Sequence, residues 1–254
     1  MYTQELGLQE ELAIVDEIQL INEVEINQDY VLVPNNKAEV FFALNGNLQF
    51  KSLGSVRSLT IEANESVFMK PRRRGAELTI DKGTSCLMIK LNPIYAKKIS
   101  ENLEEISNGI FAFKMASIQH RFLDADIYDA SDAIREFFYA KTDLFDYNFT
   151  IIDSIDRIKN SCGTVSVKEI YNTLNVSKSK LEQHFNREIG LTPKEFCKIE
   201  KINCFINSYV SNPNQSLTEL TYQCGYYDQS HLIKDFKYFL DTSPKKYFNS
   251  EYTI

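Results

Sequence analysis

Histidine is scarce in this chain, and the scarcity bounds its chemistry. Only His120, His184 and His231 occur, and none falls within the first 110 residues. A metal centre needing several imidazoles and a carboxylate has no ligands to draw on there. No metal site, catalytic residue or cofactor is therefore expected, and the chain does not read as an enzyme. An apolar run of 18 residues is also missing, so no membrane-crossing helix and no membrane partner are expected. The opening Met1-Tyr2-Thr3-Gln4-Glu5 has no basic stretch followed by an apolar one, so no secretory signal is expected. Five cysteines, Cys86, Cys162, Cys197, Cys204 and Cys224, are scattered and never in C-x-x-C spacing. Odd in number and dispersed, they predict reduced thiols in a cytoplasmic protein. Cys197 and Cys204 read as core packing on one helix rather than as metal ligands.

Positive charge is short as well, but unevenly so. The net charge of -7 over 254 residues divides into 13 Lys+Arg against 12 Asp+Glu in residues 151–254 and 15 against 23 in residues 1–150. The acidity thus belongs to the first part. A near-neutral second part can meet nucleic acid only through local clustering of lysines, with strong dependence on salt. At this length the chain can hold two domains with separate cores.

What is present begins with strands. Apolar runs at 12–14, 31–33, 40–44, 48–50, 59–61, 67–69, 78–80 and 87–91 are separated by Asn35-Asn36, Asn45-Gly46, Gly54-Ser55 and Lys82-Gly83. The spacing predicts a small antiparallel sandwich or barrel over 1–92, and Asn45-Gly46 predicts a hairpin. Tyr30, Phe41, Phe42, Phe50 and Phe68 are candidates to line an effector pocket, with plain core as the alternative for aromatics on strands. Arg72-Arg73-Arg74 reads as a solvated loop, or else as a contact for an anionic effector or partner. From Pro93 the period becomes helical. Ile99, Leu103 and Ile106 give one helix an apolar face, with Asn108-Gly109 as its stop. Phe122, Leu123, Ile127, Ala130, Ile134, Phe137 and Phe138 give a second. Residues 141–148 are polar enough for a linker, so 93–148 is expected to be a helical linker or dimerisation region.

Residues 149–254 read as all helix. Ile151, Ile152, Ile155 and Ile158 share one face, ended by Cys162-Gly163. Ser166 caps a short helix with Val167, Ile170 and Leu174 inward, and Glu169 suits a capping box. Ser177 caps the next, with Leu181, Phe185 and Ile189 inside. Phe196, Ile199, Ile202, Phe205 and Ile206 mark a longer helix. Leu217, Leu220 and Cys224 precede Gly225, a residue suited to ending a helix. Asp228 or Ser230 then caps a helix whose inner face is Leu232, Phe236, Phe239 and Leu240. The pattern also repeats. Phe185-x4-Gly190-x-Thr192-Pro193-x2-Phe196 is echoed by Phe236-x4-Asp241-x-Ser243-Pro244-x2-Tyr247.

The segments VSKSKLEQHFNREIGLTPKEF and LTELTYQCGYYDQSHLIKDFKYFLDTSPKKY resemble the two helix-turn-helix units of the AraC/XylS transcription regulators. Thr221 stands where that family often has Ala, Asp241 where it often has Gly, and Phe205 where small residues are common. The run LVPNNKAEVFFALNG, with IKLNPIYA, resembles the cupin-like sensory half of such regulators. The resemblance implies an α+β chain: an N-terminal antiparallel β domain with following helices, then two helix-turn-helix units joined by a long helix. It implies that the second helix of each unit enters a major groove. Ser179, Glu182 and Gln183, with Gln229, Ser230, Ile233 and Lys234, would then read bases. Gln183 suits adenine, Glu182 could accept from cytosine N4 or instead pair with Arg187 or Lys178, and Ile233 could meet a thymine methyl. Lys178, Lys180, Arg187, Lys237, Lys245 and Lys246 would hold phosphates. The implied partners are double-stranded DNA, RNA polymerase, a small-molecule or protein effector, and a second copy in a homodimer. A cupin-type enzyme with a DNA-targeting tail is the rival reading, but it lacks the histidines.

Overall fold

The computed structural model describes residues 14–22, 24–56, 58–101, 148–212 and 214–249, with Ile134 and the backbone of Tyr2–Gln4, Glu104–Ser107 and Ala112–Lys114. Eleven strands are among them: β1 Tyr2–Gln4, β2 Val15–Ile21, β3 Gln28–Leu32, β4 Ala38–Asn45, β5 Leu48–Ser52, β6 Ser58–Ile61, β7 Ser66–Met69, β8 Ala76–Ile80, β9 Ser85–Leu91, β10 Glu104–Ser107 and β11 Ala112–Lys114. They form two antiparallel sheets. One has the order β1-β2-β9-β4-β7-β11-β10, the other β3-β8-β5-β6.

β4 shows why the layers form. Its AEVFFAL run is buried on both faces, as a central strand flanked by β9 and β7 requires. Phe41 and Ala43 face the smaller sheet and join Leu48, Phe50, Leu78 and Ile80. Val40 and Phe42 face the other way, with Phe68, Ile89 and Tyr95. Each such side chain withdrawn from water contributes roughly 1.5–3 kcal/mol. A 3-10 turn at Pro93–Tyr95, helix α1 (Ala96–Ser100) and Ile134 cover that second face.

The expected strands are present, with two corrections in this half. Asn45-Gly46 does not close a hairpin, because β4 pairs with β7 and β9 while β5 pairs with β6 and β8 in the other sheet. Gly46 has φ +66°, but the turn is a corner between layers. Burying Phe41 against Phe50, edge to face at 4.7 Å, outweighs the local pairing signal. The helix expected through Ile106 ends at Ser100. Glu104–Ser107 instead pairs with β11, which extends the sheet from β7. Alternation along EEIS serves a strand as well as a helix turn, and the sheet edge decides. The second expected helix, apart from Ile134, and residues 141–147 lie outside the described residues.

The C-terminal half contains α2 (Phe149–Asn160), α3 (Val167–Thr173), α4 (Lys178–Glu188), α5 (Pro193–Ser211), α6 (Leu217–Gln223), α7 (Gln229–Leu240) and α8 (Pro244–Phe248). The apolar residues named above from Ile151 to Leu240, apart from half-buried Ile152 and Ile233, close one core, with Phe205 fully buried at its centre. Its ring meets Tyr226 and Phe236 edge to face, at 6.5 and 5.7 Å, and fills the space a small residue would leave. α5 packs against α2, α4, α6 and α7. The five cysteines are not all reduced thiols. Cys162 and Cys204 are joined as a disulfide, Cα atoms 5.8 Å apart. After α2 the chain turns back on α5 through Cys162 and Gly163, both at positive φ, and this delivers Cys162 to a partner 42 residues away.

Candidate nucleic-acid interface

The first unit is α3, a turn and α4. Ser166 Oγ accepts from the Glu169 amide, and Ser177 Oγ from the Lys180 amide, so both helix starts are capped by side chains. Asn175 takes φ +51° in the turn between them. Leu181 and Phe185 bury the inner face of α4, which turns Lys178, Ser179, Lys180, Gln183, Asn186 and Arg187 to solvent. Glu182 is half-buried and pairs with Lys178 at 3.7 Å. Of the two partners weighed for it, Lys178 is the one present, while Arg187 pairs with Glu188 at 2.7 Å. A solvent-facing pair of this kind is worth about 0.3–0.5 kcal/mol, so it leaves the Glu182 carboxylate free to exchange partners.

The second unit is α6, Gly225 and α7. Ser216 and Glu219 cap α6 reciprocally, as Thr192 and Glu195 do for α5; the sequence reading missed both boxes, although S/T-x-x-E was legible at each. Gly225 has φ +72°, and Asp228 Oδ1 accepts from the His231 amide at 2.8 Å to start α7. Leu232, Phe236, Phe239 and Leu240 are buried as expected. Ser230, Lys234, Lys237, Lys245 and Lys246 are exposed, while Gln229 and Ile233 are half-buried. Gln229 Nε2 donates to Thr218 Oγ1 at 2.6 Å, which fixes the amide at the start of the helix. Asp241 ends α7 at φ 54°, so the missing Gly costs some strain but not the cap.

One polar residue on the inner side of α7 is not announced by the sequence. Asp235 is buried among the apolar residues of α7, where it accepts from Lys198 Nζ of α5 at 3.0 Å. His231 Nε2 lies 3.9 Å from its other oxygen. The only signal was the i, i+4 spacing of His231 and Asp235. Nearby, Lys201 donates to the Gly225 carbonyl and lies 4.3 Å from the Tyr226 ring centre. Burial lowers the Lys201 pKa and raises that of Tyr226. Both contacts tie α5 to the turn before α7. On α4, His184 meets the Asn148 amide at 2.9 Å. Its pKa is lowered, first by burial and then by Arg187 and Lys180.

Residues 170–250 match the family described as "Helix-turn-helix domain". The xylose operon regulatory protein of Escherichia coli (strain K12) is 30% identical over 104 residues, which are 40% of this chain and 26% of that protein. ToxT of Vibrio cholerae superposes with a TM-score of 0.55 at 14% identity, over 91% of this chain and 97% of that one. A ToxT structure with an unsaturated fatty acid bound gives 0.55 and 14%, over 91% and 93%. The C-terminal part of the chain is a helix-turn-helix domain. The chain spans about a quarter of the length of the curated relatives it matches, 26%. The likeness to ToxT is one of fold, and it includes the two-sheet N-terminal domain.

The β domain docks on the helix-turn-helix domain through loops 33–37 and 70–75. Asn36 Nδ2 donates to the Phe196 carbonyl at 2.9 Å, and Asn203 Nδ2 to the Pro34 carbonyl at 2.8 Å. The Gly75 amide donates to the Phe239 carbonyl at 2.8 Å. The arginine triplet is not a solvated loop. Arg72 is buried against Glu39, Arg73 binds Glu195 and the Gly190 carbonyl at 2.9 Å each, and Arg74 reaches Asp241 at 3.8 Å. Arg72 thus stays within the β domain, while Arg73 and Arg74 hold the chain's own second domain.

The aromatic pocket candidates do not gather around one cavity. Phe41 and Phe50 are fully buried between the sheets, Phe42 and Phe68 are buried on the opposite face, and half-buried Tyr30 bonds Gln28 through its hydroxyl. Period-2 alternation puts neighbours on opposite faces, so this set is core. A cavity of about 460 Å³ lies instead at the domain junction. Lys37, Lys90, Asn36 and the carboxylates Glu17 and Glu39 line it from the β domain, with Lys159, Glu200, Asn203 and Asn207 opposite. Asn36 Oδ1 is buried there without a hydrogen-bond partner. Lys159 has its pKa lowered by burial and then by Lys37, with Asp16, Glu200 and Asp156 opposing.

Proposed function

We propose that this protein is a sequence-specific DNA-binding transcription regulator, with a β domain that conveys a chemical signal to two DNA-reading units. The observation that carries the reading is the pair of capped helices α4 and α7, each with an apolar inner face and a polar outer one, mounted on the single helix α5. Helices held in that way can enter successive major grooves on one DNA face, roughly 34 Å apart. Ser179, Glu182 and Gln183 in the first unit, and Gln229, Ser230, Ile233 and Lys234 in the second, read base edges. Lys178, Lys180, Arg187, Lys237, Lys245 and Lys246 anchor phosphates and fix register without specifying sequence.

The signal enters at the junction cavity. Lys37 and Lys90 are paired with Asp16 and Glu17, and Glu39 and Glu200 also line the cavity. Lys159 is therefore the residue to hold the carboxylate of a small ligand, while the buried Asn36 oxygen accepts from a donor that the ligand carries. Leu32, Val33, Met88 and Ile206 offer an apolar wall to its carbon skeleton. A fatty acid bound to ToxT makes a long-chain carboxylate the first probe.

Selection of bound sequences from random duplex DNA by the whole protein tests the reading. Two enriched blocks about one helical turn apart are expected, and the absence of any enrichment would refute it. A carboxylate at a hundred times its dissociation constant should add about 2.7 kcal/mol to stability, and Lys159→Gln should remove that gain. If no carboxylate shifts the melting temperature while DNA is still read, a protein partner takes the place of the small effector.

A further inference from the structure

We propose that Cys162 and Cys204 form a reversible dithiol–disulfide pair that sets the offset between the two DNA-reading units. The proposal rests on the DNA-binding reading above. Its ground is where the bond lies. The turn at 161–165 is the point at which three elements meet. Gly163 packs so closely on α5 that an added Cβ would lie 2.1 Å from the Cys197 carbonyl oxygen and 2.8 Å from the Lys201 nitrogen. The same turn reaches the second unit, since a Cβ on Gly225 would lie 2.6 Å from Thr164 Cγ2. Gly225 begins the turn into α7, and α3 of the first unit starts at Val167. A covalent link from Cys162 to the middle of α5 therefore fixes this wedge between the units.

The other three cysteines serve as internal controls. Cys86, Cys197 and Cys224 are buried free thiols. Burial pushes the first two up to about 12, so they are poor nucleophiles at neutral pH. Cys162 and Cys204 are both half-buried, within reach of a small reagent. Their Cα separation of 5.8 Å lies in the ordinary range for a disulfide, so the bond opens and closes without moving the backbone far. Disulfides in reducing compartments serve mostly as redox sensors or catalysts, and no catalytic partner adjoins this one among the described residues.

The oxidant is a small disulfide such as glutathione disulfide. One cysteine thiolate attacks a glutathione sulfur, and a glutathione thiolate leaves. The second cysteine thiolate then displaces the other glutathione from the mixed disulfide. Two protein thiols become one disulfide, one glutathione disulfide becomes two thiols, and both protein protons end on the departing glutathiones or in water.

The experiment compares the full-length protein equilibrated with glutathione disulfide and with dithiothreitol. Thiol counting should fall from five to three, and peptide mass mapping should place the link at Cys162–Cys204. The oxidised protein should bind a duplex carrying both sequence blocks about fivefold more tightly than the reduced one, at the low end of site-to-site couplings. A duplex with one block should show no such difference. Cys162→Ser and Cys204→Ser should each abolish the redox dependence while keeping the circular dichroism spectrum of the reduced protein. Failure to map the link in oxidised wild-type protein overturns the proposal, and so does a link that leaves two-block affinity unchanged. If neither form binds DNA, the regulatory role falls with the function reading, and the mapped link distinguishes that failure from the absence of a bond.

Discussion

Replacing Gly163 with alanine probes the packing on which the C-terminal domain depends. Gly163 has φ +71°, a region that costs a non-glycine residue roughly 1–2 kcal/mol. Its added Cβ would also lie 2.1 Å from the Cys197 oxygen and 3.1 Å from the Cys197 carbonyl carbon, and both are backbone atoms of α5. No rotamer change relieves that overlap, so either the turn or α5 must shift. Overpacking of this kind adds about 1–3 kcal/mol. Displacement of the turn further weakens the bond from the Gly163 amide to the Ile158 carbonyl. The total, about 2–5 kcal/mol, is a large share of the roughly 5–15 kcal/mol that holds a domain folded. Gly190→Ala is the matched control within the same domain. Its φ is +89°, but its nearest neighbour would be the Lys70 side chain at 4.0 Å, so it keeps only the conformational cost. Urea unfolding of both variants in dithiothreitol, with the disulfide open, measures the difference. A Gly163→Ala loss within about 0.5 kcal/mol of the Gly190→Ala loss would refute the close approach of this turn to α5.

Gln183→Ala and Gln229→Ala should each weaken the selected site by roughly 1–3 kcal/mol and relax base preference at one position; equal losses on random DNA would sink their base-reading role. Lys237→Ala should weaken all sequences alike and reduce the slope of log affinity against log salt by about one unit, measured by titration at several salt concentrations. Acid should loosen the domain junction. Glu195 has its pKa lowered even though burial pushes it up, because the Thr192 hydrogen bonds and Arg73 more than offset burial. A depressed carboxylate gives stability that is present above its unfolded pKa and lost as pH falls through the folded value. His184, depressed by burial, contributes in the same direction: the unfolded chain takes up its proton first, so stability declines below about pH 6.5. Stability measured from pH 7 to pH 4 should therefore fall less in His184→Gln and Glu195→Gln, relative to each variant's own value at pH 7, than in the parent.

Much of this fold was legible because its signals are local. Seven apolar runs between turn residues correspond to β3 through β9, and Ser166, Ser177 and Asp228 are the caps that their positions announced. β2 was missed because VDEIQLI mixes charge into a strand that keeps Val15 and Ile18 inward. Where the reading failed, a distant partner decided. Asn45-Gly46 has every local mark of a hairpin, yet the strands it joins belong to different sheets. Phe41 and Phe68 look alike in sequence and face opposite layers. Cys162 meets Cys204 only because a left-handed turn brings it back to α5. The outward residues of α4 and α7 were legible by contrast, since a helix whose inner face is fixed has only one outer face left.

The domain junction was the least legible part and bears most on how such a protein would be controlled. Arg73 meets Glu195 across 122 residues of chain, and Asn36 meets Phe196 across 160. No periodicity reports a contact at that range. Yet Glu195, Phe196, Glu200 and Asn203 all belong to α5, the helix against which α4, α6 and α7 pack. Glu195 further closes the capping box of that helix: the residue that holds Arg73 also accepts from the Thr192 amide, and its own amide donates to Thr192 Oγ1. A ligand between Lys37 and Lys159 would therefore act on the element whose position sets the distance between α4 and α7. It needs no relay through the β-sheet core. By linkage, whatever such a ligand does to DNA affinity, cognate DNA must do to the affinity for the ligand by the same factor. Measuring that reciprocal factor separates control through the junction from binding that merely stabilises the fold: the first gives equal coupling in both directions, the second gives none.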